Sequence, residues 1–173
     1  MNTEMEIRNA TKEDAEIIFN ILRVCAEWLA SSGLMHWKRA NFSIQSVLAA
    51  LEKDEVFLIF NRNLAVGTIA ISKVPPSWYE FDPSVFWKEK APAFYLKKLA
   101  VLPSYHSKGF ASELLKFVEN KAKKEGVKFI RFDAVIKNHA LTEFYLKRGF
   151  SIMGEAVTKN GNPSNFFEKK LSA

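Results

Sequence analysis

One cysteine, seven glycines and six prolines in 173 residues leave several architectures out. Cys25 alone cannot close an internal disulfide, so a disulfide-stapled secreted scaffold is excluded and a reducing, cytoplasmic location is expected. It lies on a helical apolar stripe, which makes it buried filler rather than a nucleophile. No apolar run is long enough to span a bilayer, and Met1 to Arg8 carry charges where a signal peptide would have its apolar core. The three glycines of a dinucleotide fingerprint are missing, and so is the Gly-Lys-Ser/Thr of a P-loop. Repeats, low-complexity tracts and any sign of a second domain are missing too, so residues 1–173 are expected to form one domain.

What is present is a chain with an ordinary packed core: 48% of residues are hydrophobic and 15 are phenylalanine. At this length roughly 70% of the unfolded surface can be buried. The formal charge of +6 is concentrated, because Lys97 to Arg131 alone carries nine Lys/Arg against Glu113, Glu119 and Glu125. Part of that is a solvated helix face, with Lys121, Lys123 and Lys124 complementing a C-terminal dipole. The rest suits a polyanionic ligand. A nucleic-acid surface would need interleaved exposed aromatics, and Phe110 and Phe117 read as packing residues instead.

The chain is organised around Tyr95 to Gly126. Leu96, Leu99, Ala100 and Val101 form the apolar end of a strand that Pro103 stops. Ala111, Leu114, Leu115, Val118 and Ala122 then recur at helical spacing. Between them lies Ser107-Lys108-Gly109-Phe110-Ala111-Ser112, whose small residues let a ligand approach the backbone. The helix start adds N–H groups without internal partners and the positive end of a dipole, so phosphate is the expected guest.

His106 to Ala111 resembles the acetyl-CoA motif of the GNAT superfamily of N-acetyltransferases, Gln/Arg-x-x-Gly-x-Gly/Ala, with His106 where Gln or Arg is usual. A second stretch, Asn138-His-Ala-Leu-Thr-Glu-Phe-Tyr-Leu-Lys-Arg-Gly-Phe150, resembles the same family's later signature: an asparagine, a short helix with a tyrosine, and a closing Gly-Phe. The resemblance implies an α/β (α+β mixed) fold with a centrally splayed mixed sheet flanked by helices. It also implies acetyl-CoA as cofactor, an amine of a small molecule or peptide as acceptor, no metal, and a monomer or homodimer.

The rest of the chain fits that order. Met5 to Asn9 reads as a strand, and Thr11 with Asp14 as the cap of a helix reaching about Ala30. That helix has one apolar stripe through Ala15, Ile18, Phe19, Leu22, Cys25, Ala26 and Leu29. A second runs through Ile17, Ile21, Val24 and Trp28, so cover on two sides is expected. Ser43 caps a second helix to about Lys53. Val56–Phe60 and Leu64–Ser72 form a hairpin, charge-free and therefore buried on both faces. The stretch 75–92 carries Trp78, Tyr79, Phe81, Phe86 and Trp87, and reads either as an insertion folded over the sheet near an acceptor site or as packing alone. Ser151 to Lys159 and Asn165 to Leu171 read as a terminal hairpin.

Acetyl transfer to an amine requires that the thioester be held and polarised, the amine deprotonated and the thiolate protonated. By resemblance, Leu99, Ala100 and Val101 offer strand-edge groups to the pantetheine arm and one N–H to the oxyanion. His106, Ser107, Lys108, Gly109, Phe110, Ala111 and Ser112 would hold the pyrophosphate. Tyr145 is the acid, and Asn138 contacts the pantetheine or supports the short helix. Asp133 holds the slot of a base glutamate found in related enzymes, with an ion pair to Arg131 as the structural alternative. Glu27, Glu80 and His36 are alternates for the base. Glu27, His36 and Trp37 are candidates for substrate contact, the last two because the region between the first two helices borders the acceptor in this family.

Overall fold

The structure is a computed structural model that describes residues 4–38 and 42–172. Its helices and strands follow one another as β1 (Met5–Asn9), α1 (Ala15–Ser31), α2 (Ile44–Lys53), β2 (Glu55–Asn61), β3 (Leu64–Ser72), β4 (Ala93–Val101), α3 (Phe110–Lys124), β5 (Phe129–Val135), α4 (His139–Leu146), β6 (Ser151–Val157) and β7 (Pro163–Lys170). This is the expected order. The seven strands form one sheet in the order β1-β2-β3-β4-β5-β7-β6. The β4–β5 pair is parallel, and the β1–β2, β2–β3, β5–β7 and β6–β7 pairs are antiparallel, so the sheet is mixed.

The described residues group into two compact units. The first runs up to Ile71 and includes Lys97–Val118; the second comprises Ser72–Leu96 and the chain from Glu119 onward. In the first, Ala15, Ile18, Ile21, Leu22 and Cys25 of α1 share a core with Val56 and Leu58 of β2, Ala65 and Ala70 of β3, and Ala100 of β4. Three-and-four spacing puts these α1 positions on one face, and their burial is what holds the helix in place. The expected second face is not covered along its length: Ile17 and Trp28 are each 42% exposed. At the start of α1, Asp14 accepts two hydrogen bonds from Arg8, at 2.8 and 2.9 Å, and one from the Thr11 N–H at 2.8 Å. Ser43 caps α2 as expected, accepting from the Ser46 N–H at 3.0 Å.

In the second unit, Trp87, Ala93, Tyr95, Phe129 and Phe166 form a core that Tyr79, Phe81 and Phe86 complete. The aromatic stretch 75–92 therefore packs on β4, β5 and β7. Phe86 lies against Gly154 of β6, where an added Cβ would collide with the ring. Glycine at that position is what lets the insertion seat.

Candidate active site

In the first unit β4 runs into a strained turn. Its pairing with β5 covers only Ala93, Phe94 and Tyr95. Past that point Lys98 has φ +50°, in the left-handed region. Val101 ends the strand with a carbonyl that accepts from the Cys25 thiol at 3.3 Å and the His106 Nε2–H at 2.7 Å. Burial pushes the Cys25 thiol up to about 12, which agrees with filler and not with a nucleophile. The His106 ring also meets Trp28 edge-on at 4.7 Å. Its imidazole thus ties the strand end to α1.

Ser107 (φ +58°) and Gly109 (φ +91°) then turn the chain into α3. Phe110 is buried and packs edge-on against Tyr105 at 5.6 Å, which anchors the helix start. The helical ladder begins with Glu113 N–H to Gly109 O at 3.0 Å, so the helix presents its positive end at the turn. Ser107, Lys108 and Gly109 are exposed, and a Cβ at Gly109 would find nothing nearer than Met5 Cε at 3.9 Å. Open space beside a helix start, with backbone in the left-handed region, fits a pyrophosphate. Lys108 Nζ lies 5.2 Å from the Tyr105 ring centre and is the cation nearest in sequence to this turn. The basic segment is less cationic than its count implies. Lys97 faces Asp54 at 3.0 Å, Arg131 faces Glu168 at 2.7 Å, and Lys121 faces Glu125.

The second unit holds Asp133, Asn138 and Tyr145. Asp133 Oδ1 accepts from the Tyr79 hydroxyl at 2.7 Å and the Trp78 Nε1–H at 3.1 Å. Burial raises its carboxyl above the usual range, and those two bonds pull the other way. The expected alternative, an ion pair with Arg131, is corrected here. Arg131 faces its cross-strand neighbour Glu168 on β7, and its guanidinium also donates to the Glu89 carbonyl at 2.8 Å. Tyr145 is buried on α4, its ring 4.4 Å from that of Phe132 and 5.4 Å from that of Phe167. Burial, with the Asp133 charge adding to it, pushes the phenol above its ordinary value. Asn138 supports the helix: its side chain caps α4, accepting from the Leu141 N–H at 3.2 Å.

The remaining substrate candidates are scattered. Glu27 is paired along α1 with Arg23 at 3.0 Å. His36 is half-buried and held below its ordinary value by that burial; its ring lies 6.4 Å from Trp37. Trp37 packs edge-on to Phe42 at 5.6 Å, against the first core. Glu80 is exposed. Two features escaped the sequence reading. Trp78 and Tyr79 lack any periodicity that would send them to Asp133, while Lys98 was signalled by a charge inside the run Tyr95–Val101.

Comparison with known proteins gives the class. The model of the acetyltransferase (GNAT) family matches residues 17–150, and the chain belongs to that family. A relative from Bacillus subtilis, the uncharacterized N-acetyltransferase YesJ, is 28% identical over 95% of this chain and 89% of its own length. A second, the S-alkylcysteine N-acetyltransferase of the same organism, is 26% identical over 95% of this chain and 88% of its own. The crystal structure of the PaiA N-acetyltransferase of Thermoplasma acidophilum with coenzyme A has the same fold (TM-score 0.73, 21% identity), covering 96% of this chain and 99% of that one. No helix among the described residues is long and apolar enough to cross a membrane.

Proposed function

We propose that this chain is a cytoplasmic N-acetyltransferase, one domain in function, that moves the acetyl group of acetyl-CoA to a primary amine of a small molecule or peptide. The observation that carries this reading is the turn Ser107–Gly109 at the start of α3, open to solvent and with Ser107 and Gly109 in the left-handed region. Family membership supports the chemistry, and a protein of the same fold was solved with coenzyme A. The S-alkylcysteine enzyme among the relatives supports an amine on a small molecule.

Acetyl-CoA supplies an activated acyl group on a thiol leaving group. The residues divide the remaining work. Ser107 to Ser112 take the pyrophosphate through backbone N–H groups, with Lys108 adding charge. The end of β4 at Leu99–Val101 offers backbone groups to the extended part of the donor. Tyr145 serves the departing sulfur. A phenol raised further above a thiol is a poor full proton donor, so its hydroxyl acts chiefly as a hydrogen-bond donor while charge develops. Asp133, raised by burial and oriented by Tyr79 and Trp78, accepts the amine proton directly or through water.

A thiol-release assay with acetyl-CoA and a mixed panel of primary amines tests this. Turnover with at least one amine is expected, and Tyr145→Phe should lower kcat with little change in coenzyme A affinity. Tight coenzyme A binding with no turnover on any amine would replace the enzyme by a coenzyme A-binding module.

A further inference from the structure

The aromatic insertion does more in the second unit than cover the sheet. Tyr79 and Trp78 both turn their polar edges to Asp133, at 2.7 and 3.1 Å, and both bonds fall on one oxygen, Oδ1. A carboxylate that accepts twice at one oxygen keeps the other, Oδ2, as its more basic atom. Ser164 stands beside the carboxylate as a weaker influence, and its own hydroxyl donates to the Asn162 carbonyl at 3.3 Å. Asp133 is not sealed in: part of its surface stays open.

Neither donor is loosely held. The Tyr79 ring lies 5.0 Å from that of Phe166 and 5.9 Å from that of Trp87, and the Trp78 carbonyl accepts from the Lys159 N–H at 3.0 Å. Donors fixed by packing before a ligand arrives orient a carboxylate without further loss of entropy. Burial and the Asp133 charge push the Tyr79 phenol far above its ordinary value, so it stays protonated and donating. Tyr145 of α4, the other titratable group that feels this charge, is raised as well and stays neutral. Among the described residues no lysine or arginine is paired with Asp133. Burial therefore raises its proton affinity, and the two donors of the insertion oppose that rise. A structural pin would not need a charge here, because an amide oxygen could accept the same two bonds without the cost of burying a carboxylate.

We propose that Tyr79 and Trp78 are positioning residues of the acetyl transfer: they hold Asp133 by Oδ1, leave Oδ2 to take the amine proton, and set the pH above which it does so. The role of base rests on the acetyl-transfer reading; the choice of oxygen and the pull on its proton rest on the two bonds.

Carbon NMR of the full chain labelled with 13C-aspartate follows the Asp133 carboxyl against pH without any ligand, its signal assigned by its loss in Asp133→Asn. Tyr79→Phe should move its titration upward by about one pH unit, the worth of one hydrogen bond to a charged group, and Trp78→Phe should move it the same way. The rising limb of kcat/KM, measured by thiol release with an amine that is turned over, should move with it. A change in melting temperature alone would be the mark of a structural pin. A carboxyl titration unmoved or lowered in both variants overturns the inference, and either variant decides if the other fails to fold. The two readings also fail separately. A kcat/KM limb that Asp133→Asn removes but neither donor variant moves leaves the base and overturns the positioning role. A carboxyl that moves while the limb stays in place removes Asp133 as the base, and the positioning role with it.

Discussion

At Asp133 the demands of the fold and of the proposed base meet in one side chain. Its donors, Trp78 and Tyr79, come from 55 and 54 residues upstream, so the carboxylate also pins the aromatic insertion. If it is the base, kcat/KM rises with pH along a limb above the usual carboxylate range, because burial raises its carboxyl. Asp133→Asn should remove that limb and cost about a hundredfold. The sign for stability follows from the same shift. As pH rises past the ordinary carboxylate value, the unfolded chain releases its proton first, so this residue's contribution to stability falls until the folded carboxyl has ionised. The asparagine variant should lose that slope, read from melting temperature against pH. Asp14 has the opposite sign. The Arg8 guanidinium holds its carboxyl at about 2. Its contribution is therefore present above the ordinary carboxylate value and is lost as pH falls through about 2. Since Arg8 is itself half in water, Asp14→Asn should cost on the order of 1–2 kcal/mol at neutral pH, and denaturant melts would show the difference fading in acid. The spacing Thr11–Asp14 announced this cap, whereas nothing local announced Arg8 as its partner. Residue types and slots were legible. Long-range partners were not.

Elements were legible wherever one periodicity ruled. The face of α1 through Ile18, Leu22 and Cys25 is buried as its spacing predicts, and β2 and β3, free of internal charge, are buried on both faces. Where two patterns overlapped, reading held only in part: of the second stripe of α1, Ile21 is buried in the core while Ile17 and Trp28 are exposed, and Trp28 is used on His106. The stretch 75–92 has no period at all: its aromatics suggested a cover for the sheet, but which of them seat there emerged only from packing. That seat can be tested at its tightest point. Gly154→Ala drives a methyl into the Phe86 ring. Overpacking of this kind should cost about 1–3 kcal/mol, and Asp133 should lose its two donors as the insertion lifts. A lowered melting temperature with a changed fluorescence of the Trp78–Trp87 segment is the expected signature.

For the whole molecule, the order of elements and the mixed sheet were readable because each helix and strand agrees with its neighbours in pattern and capping. The family follows from that order together with the two signatures around Gly109 and Tyr145. Charge was the poorer guide at this scale. The net charge of +6 is real, but the ion pairs of Lys97, Lys121 and Arg131 reduce what a polyanion meets along the basic segment. The proposed recognition therefore rests on backbone donors at the start of α3 rather than on a general positive field. Backbone amide shifts of the labelled protein during a coenzyme A titration test this most directly. The largest changes are predicted at the N–H groups of Ser107 to Ser112, with smaller ones at Leu99–Val101. Saturable binding that leaves the amides of Ser107 to Ser112 unmoved would contradict the cradle, and with it the site on which the proposed acetyl transfer depends.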